Sequence, residues 1–248
     1  NTSITAGTTV GSIDVNAKLN GSGTILLDAA EEITIDASID PTIVTLNAND
    51  DITVNAAVVA SDLITVSAGE DGSGSFVLGS SGSLETTDSG SDVVVTTGTD
   101  SGDITFTGGG ANAYNFGNTL TVTSNGGAGA FTFTGADPTI TAVGGAAFNE
   151  GSGTDDIMLL ADVSNLTINT TDANVILPNI VGTAGNGDDA TDITISVGSG
   201  TISVESISTD INDVQLTSTG GITLNGDITT ATDSDDGSGT SGVVTLTG

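Results

Sequence analysis

Residues 25–66 read ILLDAAEEITIDASIDPTIVTLNANDDITVNAAVVASDLITV and restate one phrase: apolar, threonine, apolar, with Asp, Asn, Ser or Ala beside it. Ile33-Thr34-Ile35, Val44-Thr45-Leu46, Ile52-Thr53-Val54 and Ile64-Thr65-Val66 are its copies here. It returns at Ile104-Thr105-Phe106, Leu120-Thr121-Val122, Phe131-Thr132-Phe133, Leu166-Thr167-Ile168, Ile193-Thr194-Ile195, Ile222-Thr223-Leu224 and Val244-Thr245-Leu246. Alternation of apolar and polar residues, rich in β-branched types, makes a half-buried strand, because successive side chains point to opposite faces. Val44 lies 19 residues after Ile25, Ile52 lies 19 after Ile33, and Ile64 lies 20 after Val44. A fixed period near 20 carrying strands at short intervals is the mark of a strand solenoid.

The expectation is therefore an all-β chain: a single right-handed parallel β-helix with about 20 residues per coil, continuous over 1–248. At one inter-strand spacing per coil it would hold roughly 12 coils over about 58 Å. The rival, a string of antiparallel sandwich domains, needs units of about 100 residues with their own linkers, which a period near 20 does not supply. Gly- and Ser-rich insertions interrupt the pattern at 69–92, 108–118 and 144–156, as turns in solenoids do. Neither end carries an atypical capping coil. The chain is thus expected to be a segment of a longer β-helix, or a fibre subunit whose end coils are covered by neighbouring copies.

Charge narrows function. Against 32 acidic residues stands one basic residue, Lys18, with no Arg and no His, for a net charge of −31. Neither nucleic acid nor an anionic membrane surface is an expected partner, since both are held through Lys and Arg. No apolar run is long enough to span a bilayer as a helix, so membrane insertion is not expected. Zero Cys, one Met and a single Lys fit an extracellular or cell-surface protein, which gains from offering few oxidisable or trypsin-sensitive positions.

Catalysis is not expected either. With Lys18 as the one cationic side chain, the groups that move protons or hold substrate carboxylates are nearly missing, and no Ser or Thr has an activating base. No catalytic residue and no required cofactor is assigned. The candidate metal ligands are Asp233, Asp235 and Asp236, carboxylates ahead of the Gly237 turn that suit Ca²⁺, against the ordinary reading of a solvated acidic loop. Asp155-Asp156 and Asp188-Asp189 are weaker versions of that pattern. Acids also sit just before strand phrases at Glu32, Asp51, Asp103, Asp156, Asp192 and Asp213. Turn chemistry accounts for them; stacked about 4.8 Å apart, they would also repel unless a cation lay between.

Thr-x-Thr pairs at Thr105/Thr107, Thr132/Thr134 and Thr245/Thr247, and the triple Thr119/Thr121/Thr123, have the form that orders water on ice-binding solenoids, but along the sequence they are scattered. Asn20, Asn165 and Asn169 open glycosylation triplets at the frequency such an Asn- and Thr-rich composition produces.

Glu31-Glu32-Ile33-Thr34-Ile35, Asp50-Asp51-Ile52-Thr53-Val54-Asn55-Ala56 and Gly220-Gly221-Ile222-Thr223-Leu224-Asn225-Gly226-Asp227-Ile228 resemble the strand repeats of giant secreted bacterial β-helical surface proteins, the filamentous-haemagglutinin-like adhesins. The resemblance covers nearly the whole chain as repeat grammar. It implies a parallel β-helix at the cell surface serving as an adhesin shaft or fibre. The near absence of Lys and Arg departs from many such adhesins. Two functions follow as expectations. One is a structural fibre, sheath or stalk whose partner is a further copy of itself. The other is a binding module that touches glycan or protein through the three insertions, with Tyr114, Phe116 or Phe148 as exposed anchors.

Overall fold

The computed structural model describes residues 2–7, 10–88, 90–98, 102–107, 113–116, 119–124, 131–135, 138–150, 156–160, 163, 165–182, 191–208, 211–230 and 242–248. Every element among them is a β-strand, and every strand pairing is parallel. The strands fall on three faces. A first sheet of 10 strands runs from Thr2–Ala6 to Ile222–Leu224, and a second of 9 from Ile13–Val15 to Ile207–Ser208. The third face begins as a 4-stranded sheet, Leu19–Asn20 to Ser83–Thr86, and continues as a 6-stranded one, Ala113–Asn115 to Val244–Thr247. Where these two meet, the Thr86 hydroxyl donates to the carbonyl of Phe116 at 2.7 Å. The chain visits the three faces in strict rotation, so each coil lays one strand on each face against the coil before it. This is a parallel β-helix.

The alternation read from the sequence sets which side chains enter the core. In the strand Ile43–Ala48 the pattern is buried at Val44, Leu46 and Ala48 and half-buried at Ile43, Thr45 and Asn47. Parallel register then stacks like on like. Leu27, Leu46 and Val66 form one interior column, and Ile13, Ile33, Ile52, Phe76 and Ile104 another. Among the described residues, those with buried hydroxyls, Thr86, Ser91, Thr97, Ser124, Thr191 and Ser218, each donate to a backbone carbonyl, which offsets the cost of burying them.

Coil length is not uniform. Cross-coil hydrogen bonds span 19 residues from Asn55 to Asp36 and 20 from Asn225 to Glu205. Between them the span grows to 24 from Ser75 to Asp51, 28 from Asp103 to Ser75, and 27 from Ser199 to Asp172. The longest sheet therefore carries 10 strands, short of the dozen coils that a uniform period would give. All six phenylalanines lie between residues 76 and 148, among these longer coils, and all are buried. Phe106 and Phe133 stack with centroids 5.0 Å apart, and Phe148 meets Phe131 edge-on at 5.5 Å. These rings fill the interior of the middle coils, which must stay close-packed.

The lengthening starts at one tight corner. Gly69 holds φ +74, and a Cβ on Gly74 would lie 2.4 Å from the carbonyl oxygen of Asp50. Only glycine permits that approach.

Replacing Leu46 with Ala is expected to cost about 2–5 kcal/mol, while Thr45→Ala on the outer side of the same strand stays within about 0.5 kcal/mol. Gly74→Ala is expected to cost more than about 1 kcal/mol. Urea unfolding followed by far-ultraviolet circular dichroism measures all three.

Candidate functional site: polar ladders at the corners

At the corner entering the second sheet, the residue just ahead of the strand recurs in every described coil. Its carbonyl accepts the first strand N–H of the coil before it. Ile13 donates to Glu32 at 2.9 Å, Ile33 to Asp51 at 3.0 Å, Ile52 to Ser75 at 2.9 Å and Phe76 to Asp103 at 2.9 Å. Phe131 donates to Asp156, Ile157 to Asn179, Ile180 to Ser206 and Ile207 to Asp227 in the same way. Side chains return the grip from the other direction. The Asp51 carboxylate accepts the N–H of Ser75 at 2.7 Å, and the Ser75 hydroxyl oxygen accepts the N–H of Asp103 at 3.3 Å.

This column relieves its own charge. Ser75 separates Asp51 from Asp103 along the axis, and beyond Asp156 come Asn179 and Ser206 before Asp227. Asn179 donates its amide to Asp156 at 3.0 Å and accepts from the Ser206 hydroxyl at 2.7 Å. A neutral residue thus donates to a carboxylate at two steps, Ser75 to Asp51 and Asn179 to Asp156, and among the described residues of this column Glu32 and Asp51 are successive acids.

The other corners repeat the device with residues that the strand phrase does not flag. Asn55 donates to Asp36 at 2.9 Å and Asn225 to Glu205 at 3.1 Å. Asn174 accepts both the N–H and the hydroxyl of Thr201 at 2.9 and 3.0 Å. Asp192 and Asp213, read as residues ahead of strands, lie inside strands Thr191–Val197 and Ile211–Ser218, at a shift of register between Thr191 and Ile193. The extra residue of that irregularity places Asp192 to accept from the N–H of Asp213, and Asp213 from that of Val243, at 3.0 and 2.8 Å.

Asp172 holds φ +56, a left-handed conformation in which Asp is among the few tolerated side-chain-bearing residues. The turn aims its carboxylate at the N–H of Ser199, 2.8 Å away in the next coil. Asp172, Asn174 and Ile176 also line a shallow surface groove with Thr119, Gly145 and Ala147.

Glu70 has its carboxyl pushed above the ordinary value, first because neighbouring chain displaces part of its water and then because Asp28 carries like charge.

The predicted Ca²⁺ ligands Asp233, Asp235 and Asp236 lie outside the described residues, as do Asp155, Asp188 and Asp189. Among the described residues no three acidic side chains form a group that could hold a metal ion. Lys18 faces Asp40 at 3.8 Å, both half exposed, and not Glu31 or Glu32. Phe116 and Phe148, whose exposure the binding reading needs, are buried, Phe148 against Phe106, Phe131 and Phe133. The side chain of Tyr114 is outside what is described, and so is much of the 108–118 insertion.

Asp172→Ala should lose about 1–2 kcal/mol, from the cross-coil hydrogen bond and the left-handed backbone together, with Asp172→Asn retaining most of it; urea midpoints test this. For Glu70 the raised value means that the folded state holds the proton more tightly. That contribution to stability is present in acid and is lost as pH rises through the folded value. Glu70→Gln should therefore stabilise by a few tenths of a kcal/mol at pH 7 after solvent screening, with the gain shrinking in acid, as read from urea midpoints across pH. Comparison of the chain with protein-family models, with curated proteins and with solved structures finds no match.

Proposed function

We propose that this chain is a non-catalytic structural segment of an extracellular fibre, sheath or stalk, which assembles end to end or continues into a longer β-helix. One observation carries the reading: all three faces are joined coil to coil by parallel ladders, with matching polar ladders at the corners. Such a body grows by translation along one axis, and each added coil meets only its neighbours. The chemistry on the surface is hydroxyl, amide and carboxylate, which suits holding distance better than transforming a substrate. The partner is a second copy or further repeats of the same polypeptide. The composition and the resemblance to giant surface proteins support export.

A second reading, an adhesin shaft that contacts glycan or protein through its loops, rests on the insertions at 69–92, 108–118 and 144–156. With Phe116 and Phe148 in the core, it draws on fewer aromatic anchors than binding surfaces ordinarily use.

Electron microscopy of native material distinguishes them: continuous filaments support the fibre, isolated stalks with distal heads the adhesin. Because each copy carries −31, association is expected to strengthen with Ca²⁺ or high salt and to weaken in chelator at low ionic strength. Sedimentation across that range measures it, and a chain that is monomeric under every condition, with end coils covered by its own loops, removes self-assembly.

A further inference from the structure

Scattered in sequence, hydroxyl residues are brought into one block on the outer side of the third face. Thr139, Thr167, Thr194, Gln215 and Thr245 pair in succession as one column. Thr141, Asn169, Ser196, Thr217 and Thr247 form a second column, two residues further along the same strands. Between the columns, Ile140, Ile168, Ile195 and Leu216 point inward and are buried. The register is unbroken across these positions; the shift at Thr191/Ile193 falls before them.

Two features set this block apart. None of its ten positions carries a charge, in a chain with 32 acidic residues. On its own strands the block is bordered by Asp192 and Asp213, and the first sheet has an uncharged outer column too, but that one carries Leu26, Val94, Ala147 and Ile176 where this block is polar throughout. The block is also a two-dimensional lattice. Its rungs are set by the inter-strand spacing, about 4.8 Å, and its columns by two residues of parallel strand rise, about 6.6 Å. Both repeats approximate oxygen spacings on faces of hexagonal ice. Threonine suits such a template, since its hydroxyl both donates and accepts as water does, and its β-branch limits rotation. A carboxylate would hold a hydration shell of its own geometry, so the absence of charge fits crystalline water better than an ionic ligand.

We propose that this face binds ice, with the columns Thr139–Thr245 and Thr141–Thr247 as the contact. The test uses the whole chain at subzero temperature, with ice as the probe. Thermal hysteresis and crystal faceting are measured for the unsubstituted protein, for Thr194→Tyr at the centre of the block, and for Thr65→Tyr on the outer side of the first sheet. Circular dichroism checks that each is folded. The expected result is hysteresis with faceted crystals, lost in Thr194→Tyr and kept in Thr65→Tyr. A folded, unsubstituted chain with neither hysteresis nor faceting overturns the proposal. So does equal loss in both variants, which would place the effect elsewhere than this face.

Discussion

The parallel register between coils is the constraint on which everything else depends. Once Leu27, Leu46 and Val66 are locked one above another, every other position in those coils is stacked as well, whatever its chemistry. For the interior this is favourable, because apolar columns exclude water continuously along the axis. For the surface it is a demand, since each polar residue must live beside its counterparts about 4.8 Å above and below. The corner ladders answer that demand. Asp51, Ser75 and Asp103, or Asp156, Asn179 and Ser206, set neutral residues beside acids, which relieves much of the charge that the core's register would stack, although Glu32 still meets Asp51 and Asp192 still meets Asp213.

The same constraint explains how an acidic chain holds together with almost no counter-charge. Lys18 and Asp40 form an exposed, long ion pair between the first coil and the second, which contributes little. The carboxylates find backbone N–H groups and amides instead, as Asp172 does with Ser199 and Asp213 with Val243. Glu70 stands near Asp28 with part of its water displaced, and its carboxyl holds its proton more tightly than an ordinary glutamate does.

Much of the fold was legible in the strand phrase. Alternation gave the inward and outward faces, and the period gave parallel stacking, because both follow from local sequence. The lengthening of the middle coils was legible in outline too, since Gly- and Ser-rich insertions begin at residue 69, but the close approach of Gly74 to the Asp50 carbonyl at that corner was not, because it depends on how one coil meets the next. Whether Phe116 and Phe148 would be exposed, as a binding surface requires, was not legible: Phe148 packs on Phe106, Phe131 and Phe133, contacts that exist only once coils are stacked. The partners at the corners were hidden too. Asn55 and Asp36, or Asn174 and Thr201, are unremarkable in sequence and meet only through the register. Outward stacking of threonine on threonine follows from the strand phrase, but which of them gather on the third face does not, its members being 21 to 30 residues apart along the chain.

Rungs that meet only their neighbours give the chain an arithmetic of tolerated change. Losing one whole coil, such as the stretch from Val44 to Leu63, would bring Leu27's coil against Val66's with every inward position still inward. Losing a single residue within a strand would turn the rest of that strand inside out. Length in this molecule is therefore expected to vary by duplication and deletion of complete turns, and by padding at the corners, as the coils between Asp51 and Asp172 already display.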